Sequence, residues 1–313
     1  MRALVTGVNG QLGHDVVLEL KKRGIPGVGS GSGATVNDPS ILQPVKLGTD
    51  GYPLPSYSQM DITDEKSVND VFELIKPDVV FHCSAWTAVD AAEEKENKAK
   101  VYALNVKGPE NIAMACKKYG TKMIYLSTDY VFNGQGTEPW KPDSKEFAPL
   151  NYYGETKLLG EKAVEINLDE FFIVRIAWVF GVNGKNFIKT MINVGKTHDE
   201  VRVVNDQIGT PTYTKDLARL LADMIETEKY GYYHATNSEE GKYISWYDFT
   251  VEIYRQYGLE TKVIPVSTAE YGLSKAARPF NSRLDKSKLV EAGFQPLPDW
   301  NDAVRRYLKE AEL

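Results

Sequence analysis

Over the first two thirds of the chain, short and almost wholly apolar runs alternate with longer stretches whose apolar residues recur every three or four positions. Arg2 to Thr6, Asp78 to His82, Thr121 to Leu126 and Phe171 to Phe180 read as strands covered on both faces, because a half-solvated strand would alternate apolar and polar residues. Asp15 to Arg23, Glu65 to Ile75 and Asn97 to Tyr119 carry the helical period between them. Strands that alternate with helices predict an α/β fold, a doubly wound and mostly parallel sheet with helices on both faces. After Phe180 the rhythm breaks into Gly and Asn turns, a helix near Asn186 to Gly195 and a turn-rich stretch from Val204 to Tyr213. Helices are expected at Ser245 to Tyr257 and from Trp300 to Glu312. The boundaries that follow are a large domain from 1 to 180 and about 214 to 236, the second piece returning as a helix and a strand. A smaller C-terminal α+β lobe would take about 181 to 213 and 237 to 313. Gly27 to Gly33 mixes glycines with serines and leads into a Pro-punctuated stretch to Ser58, which predicts a mobile loop after the second strand.

Composition narrows the class of partner. With 313 residues, 42% of them hydrophobic and 26% charged, the chain has the makeup of a soluble globular protein. A net charge of −6 and a pI near 5.4 argue against nucleic acid or an anionic membrane as the partner. Cys83 and Cys116 have no metal-ligand spacing and cannot build a disulfide framework, so a reducing cytoplasm is the expected compartment. His14, His82, His198 and His234 show no clustered spacing, and no metal is assigned. The start of the chain is too short in apolar length for a signal peptide, and no run reads as a membrane span.

The first strand runs directly into Gly7, Gly10 and Gly13, which open a helix. Glycine permits a tight turn and close backbone approach, while the helix N-terminus offers free amides to a pyrophosphate. In that setting the turn predicts a Rossmann dinucleotide site, although the first spacing is one residue wider than in the common fingerprint. An acid after the second strand would bind a ribose diol and repel a 2′-phosphate. None occurs between Gly24 and Asn37. The expected cofactor is NADPH, with NADH also open.

Tyr153 and Lys157 lie one helical turn apart, so a phenol and an ammonium project from one helix face. A Tyr followed four positions later by Lys occurs twice in this chain, about as often as chance gives. The other pair, Tyr271 and Lys275, follows no strand that ends in hydroxyls. Tyr153 follows Ser127, Thr128 and Asp129 at the carboxyl end of a buried strand, where ligands of open parallel sheets bind. The expectation is proton transfer by Tyr153 during hydride chemistry on a carbonyl, with Lys157 lowering the phenol's pKa.

Thr6-Gly7-Val8-Asn9-Gly10-Gln11-Leu12-Gly13, Ser127-Thr128-Asp129-Tyr130-Val131-Phe132 and Tyr153-Gly154-Glu155-Thr156-Lys157 together resemble the extended short-chain dehydrogenase/reductases. Met60-Asp61-Ile62-Thr63, Ala85-Trp86-Thr87-Ala88-Val89-Asp90, Val204-Asn205-Asp206-Gln207 and Arg278-Pro279-Phe280-Asn281-Ser282-Arg283-Leu284 are similar to the dTDP-4-dehydrorhamnose reductase branch. The resemblance spans nearly the whole chain and departs from the branch at Gly27 to Ser58. It implies reduction of the C4 keto group of a dTDP-linked 6-deoxyhexose, with Tyr153 as proton donor, Lys157 on the nicotinamide ribose and Thr128 orienting the carbonyl. Ser127 is the rival hydroxyl. The resemblance further implies that Gly10, Gln11 and Leu12 meet the cofactor phosphates, Asp61 and Ile62 the adenine, and Ala85, Trp86 and Thr87 the middle of the dinucleotide. Asp129 and Trp178 would line the sugar pocket, and Asn205, Gln207 and Arg278 the nucleotide half. Residue by residue, Asp61 reads equally as a helix cap, Trp178 as core and Arg278 as a solvated turn. Competing functions are a sugar nucleotide dehydratase, another reductase or epimerase of sugar nucleotides, and a non-catalytic module like the regulatory subunit of methionine adenosyltransferase. The dehydratase is disfavoured because Tyr130 follows Thr128-Asp129 where a further acid is needed. Some relatives pair through a glutamate-bridged metal, but Asp15 stands where a longer acid would. The expected state is a monomer or weak homodimer.

Overall fold

The computed structural model describes residues 1–42, 54–239 and 241–313. A seven-stranded sheet is built from β1 (Ala3–Thr6), β2 (Gly27–Gly31), β3 (Tyr57–Gln59), β4 (Val79–His82), β5 (Lys122–Thr128), β6 (Phe171–Ile176) and β7 (Gly231–His234). Its order is β7-β6-β5-β4-β1-β2-β3, and every pairing in it is parallel. The order reverses at β1, so the crevice beyond the carboxyl ends of β1 and β4 is the topological switch point. Successive β1 residues explain the absence of polar alternation. Ala3 and Val5 pack on one face with Val16, Leu20, Leu217 and Leu221, whereas Leu4 packs on the other with Phe72, Val80, Ile112 and Val164.

The first face is covered by α1 (Gln11–Arg23) and the second by α2 (Glu65–Ile75), α3 (Gly108–Tyr119) and α4 (Tyr152–Asn167). The chain from Lys98 to Tyr119 is helical throughout, but Ala103–Lys107 form a π-helical turn. Beyond the sheet come α5 (Phe187–Gly195), α6 (Thr214–Met224), α7 (Trp246–Tyr257) and α8 (Trp300–Glu310). Helix α6 packs back beside α1, while α5, α7 and α8 share a separate core around Phe180, Ile192, Phe249 and Tyr307. Helix α7 starts where it does because Ser245 and Asp248 form a reciprocal capping box.

Two expectations are corrected. Gly27–Gly31 is not loop but β2 itself, paired on both sides by β1 and β3. Its glycines admit close neighbours: a Cβ on Gly27 would lie 3.1 Å from Leu20 Cδ1, and one on Gly29 3.1 Å from Val8 Cγ1. Ladder hydrogen bonds and that close packing outweigh the poor strand propensity of glycine. Much of the rest of the expected loop, residues 43–53, lies outside the described residues. Phe171 to Phe180 is likewise not one strand. Trp178 has φ 51° and turns the chain, so that Val179–Phe180 leave the sheet and pair with Thr212–Tyr213.

Candidate active site

The floor of the site follows from the sheet. Gly7 has φ +70°, a conformation glycine adopts without strain, and the turn closes with Gly10 N donating to Gly7 O at 2.9 Å. A Cβ at Gly13 would lie 2.3 Å from Gly7 O, so only a hydrogen there lets α1 start this close to β1. The amides at the N-terminus of α1 are thereby presented at the switch point, a bed suited to a pyrophosphate.

One cavity of about 490 Å³ joins this turn to the end of β5. Gly10, Gln11, Leu12 and Gly13 line one side, and Thr128, Asp129, Tyr153, Lys157 and Trp178 another. Ala85 and Thr87 border it and continue into a second cavity of about 550 Å³, where Asp61, Trp86 and Ser32 meet. Ile62 lies behind that wall, buried against Gly108, where a Cβ would come 2.6 Å from Ile62 Cδ1. Asp61 is not the helix cap: Asp64 caps α2, while Asp61 Oδ1 accepts from Thr63 N at 2.9 Å and Thr63 Oγ1 at 2.8 Å.

Helix α4 opens on Asn151, whose side chain accepts from Gly154 N at 2.8 Å and so sets Tyr153 in the first turn. Lys157 is buried and donates to Leu126 O at 2.6 Å, with its ammonium 4.2 Å from the Tyr125 ring centroid. Burial brings its pKa down to about 7. The phenol of Tyr153 is not lowered by this cation, contrary to expectation. Burial raises it above the ordinary tyrosine value, by more than the Thr128 hydroxyl lowers it. The longer lysine reaches down to the β5 carbonyl, so the shared helix face does not translate into a lowered phenol.

Thr128 Oγ1 donates to Asp129 Oδ1 at 3.0 Å and accepts from Tyr130 N at 3.3 Å. Asp129 is 2% exposed, and burial pushes its carboxyl up to about 6, although the Ser282 and Thr128 hydroxyls ease it. Three buried polar atoms in the cavity wall, Ser127 Oγ, His82 Nε2 and Asp129 Oδ2, make no hydrogen bond of ordinary geometry among the described residues. Such orphaned atoms fit a site whose ligand supplies polar partners. The imidazole of His82 is held neutral, its pKa brought down to about 3 by burial and by the charge on Lys157. Asn105, projected from the π-helical turn, accepts from Trp86 N at 2.8 Å and donates to Thr156 Oγ1 at 3.2 Å.

Trp178 is both pocket wall and core: it lines the cavity and stacks on Trp246 with centroids 3.9 Å apart. Asn205, Gln207 and Arg278 do not line this cavity. Gln207 Nε2 donates to Thr268 Oγ1 at 3.0 Å, and Asn205 N to Val266 O at 2.9 Å. Arg278 is not free in a solvated turn. It pairs with Asp90 at 2.5 Å and donates to the Tyr130 hydroxyl at 3.1 Å, and Tyr130 does line the cavity. The sequence reading missed His82, Lys185, Asn186 and Trp246 as lining residues. Of these, His82 carried a local signal, as the last residue of a predicted buried strand, at the carboxyl end where ligands of parallel sheets bind.

The whole chain, residues 1–313, matches the family model described as RmlD substrate binding domain. The spore coat polysaccharide biosynthesis protein SpsK of Bacillus subtilis (strain 168) is 37% identical over 309 residues, 99% of this chain and 97% of the relative. A dTDP-4-dehydrorhamnose reductase from Clostridium acetobutylicum has a crystal structure 38% identical in sequence, with TM-score 0.86 and all of both chains covered. That of Bacillus anthracis, solved in complex with NADP, is 35% identical, with TM-score 0.81 and 99% of each chain covered. A glycine turn, a Tyr153/Lys157 helix and a hydroxyl-bearing strand end share one cavity in a fold that these proteins match end to end, and the chain belongs to the dTDP-4-dehydrorhamnose reductase family.

Proposed function

We propose that this enzyme reduces the C4 keto group of dTDP-4-dehydro-L-rhamnose to give dTDP-L-rhamnose, using NADPH, with NADH as the weaker donor. The observation that carries the reading is the single cavity holding Thr128, Tyr153 and Lys157 against the glycine turn. A bound dihydronicotinamide supplies the hydride that reaches the keto carbon. Tyr153 gives its proton to the carbonyl oxygen as negative charge develops there, and Thr128 hydrogen-bonds the same oxygen and aims it. A phenol held above its usual pKa stays protonated across the neutral range, which suits a proton donor. Lys157 holds the nicotinamide ribose. Gly10, Gln11 and Leu12 bind the phosphates on the turn that Gly7 and Gly13 shape, Asp61 and Ile62 bind the adenine, Ala85, Trp86 and Thr87 the middle of the dinucleotide, and Asp129 and Trp178 the sugar. Asn205, Gln207 and Arg278 serve the nucleotide half, Arg278 through Tyr130.

Residues 1–180 and about 214–236 form the dinucleotide domain in this reading, and the remainder the substrate lobe. No described helix is long and apolar enough to cross a membrane. The enzyme works in the cytoplasm as a monomer or weak homodimer.

The test is loss of NADPH absorbance with the 4-keto sugar nucleotide, compared with Tyr153→Phe. The variant should retain its fold and NADPH binding and lose about 10²- to 10⁴-fold in kcat. Unimpaired turnover by Tyr153→Phe, or none by the native chain, defeats the assignment.

A further inference from the structure

We infer that Lys185 is a cofactor-binding residue, a cation that grips the dinucleotide pyrophosphate beside the glycine turn. The inference rests on the dinucleotide reading above and adds to it a residue outside every motif of the sequence.

The loop from Gly181 to Asn186 is pinned onto the glycine turn. Asn183 Nδ2 donates to Asn9 O at 3.1 Å and to Gly10 O at 3.3 Å, and Asn186 Nδ2 lies 3.4 Å from Gln11 Oε1. A Cβ at Gly181 would come 3.3 Å from Gln11 Cβ, and one at Gly184 3.7 Å from Gln11 Cγ, so the loop backbone runs beside the Gln11 side chain. The loop is also braced from behind. Lys189 donates to Val182 O at 2.6 Å and Gly184 O at 3.0 Å, and Asn186 Nδ2 donates to Gly181 O at 2.8 Å and Tyr307 Oη at 3.0 Å. The position of residue 185 is thus fixed beside Gly10 and Gln11, where the amides of α1 open.

Charge completes the case. Two cations line the cavity among the described residues, Lys157 and Lys185. Lys157 is committed to the Leu126 carbonyl, while the exposed Lys185 makes no ion pair and no hydrogen bond among the described residues. By contrast Lys189, one turn further along, spends its ammonium on loop carbonyls. An unpaired ammonium at the mouth of a helix N-terminus, in the same cavity, matches a diphosphate dianion. The sugar nucleotide also carries a diphosphate, but the contacts of this loop are with Asn9, Gly10 and Gln11, which assigns Lys185 to the cofactor.

The experiment measures equilibrium binding rather than turnover, by NADPH fluorescence and calorimetry on the full chain. Lys185→Ala should raise the Kd for NADPH and for NADH by the same factor, about tenfold, because both share the pyrophosphate. Lys185→Arg should stay within about threefold of the native value. In Lys185→Ala the dependence of log Kd on log salt should flatten, whereas the Kd for dTDP should not move and Tm should be unchanged. Native-like NADPH binding by Lys185→Ala overturns the inference. So does a loss confined to dTDP, which would hand the residue to the sugar nucleotide. A native chain that binds no NADPH refutes the functional reading itself, and the inference with it.

Discussion

Replacing Asp129 by asparagine should stabilise the protein above pH 6 while impairing catalysis. The carboxylate is buried, its Oδ2 lacks a hydrogen bond of ordinary geometry among the described residues, and burial raises its pKa from 3.8 to about 6. A folded pKa above the unfolded one means that the native state holds the proton more tightly, so stability falls as pH climbs between the two values. At 1.36 kcal/mol per unit, the ionised form costs about 3 kcal/mol above pH 6 and nothing below about pH 3.8. Roughly two thirds of that cost develops between pH 4.5 and 7.5. Asparagine keeps the shape and an oxygen for the Thr128 hydroxyl but never ionises. Urea unfolding at the two pH values should therefore show Asp129→Asn more stable by about 1–3 kcal/mol at pH 7.5, with most of the gain gone at pH 4.5. Turnover should drop if, as proposed, this charge faces the sugar, a trade expected where a site is held in a costly state. An asparagine variant that is less stable at pH 7.5, or equally stabilised at both pH values, would show that desolvation of this carboxylate is not the governing effect.

Gly13→Ala should weaken NADPH binding at least about tenfold and lower Tm, since its Cβ would meet the Gly7 carbonyl, a backbone atom with little room to yield; normal binding in a titration would contradict the tight-turn argument. Glu161→Gln leaves Arg175, which is 0% exposed, without its carboxylate, and should cost about 3–5 kcal/mol in urea unfolding. A loss below about 1 kcal/mol would mean that the Pro142 carbonyl and the surrounding rings satisfy the guanidinium unaided. Trp246→Ala removes the face against which Trp178 stacks and should raise KM for the sugar nucleotide more than it lowers kcat. An effect on kcat alone would place that stack at the reacting centre.

The parallel sheet and glycine turn were legible because they rest on short-range patterns: doubly covered strands read as continuous apolar runs, and glycine is required where φ is positive. Tyr153 and Lys157 were legible as a pair on one helical face, but the direction of the phenol's shift was not, since it depends on how much protein surrounds the ring and on where the lysine ends. Gly27–Gly31 hid as a strand because the packing of Leu20 and Val8, not the propensity of its residues, decides it. The break at Trp178 left no mark in an apolar run, since a tryptophan with positive φ is unexpected from local preference. Lys185 and Trp246 reach the cavity from loops and helices far along the chain, so no spacing announces them. Arg278 was placed by resemblance near a nucleotide, yet its partners, Asp90 and Tyr130, are known only once the chain is folded.

The π-helical turn at Ala103–Lys107 holds one residue more than an α-helix would need for the same path. Deleting a single residue there would let the helix heal into regular form and would look conservative by every local measure. It would also swing Asn105 round the axis by about 100°, off the Trp86 backbone and the Thr156 hydroxyl at once. That amide is a strut between the Ala85–Thr87 segment and the helix that carries Tyr153. A better helix would therefore make a worse enzyme, with two walls of its cavity free to drift apart.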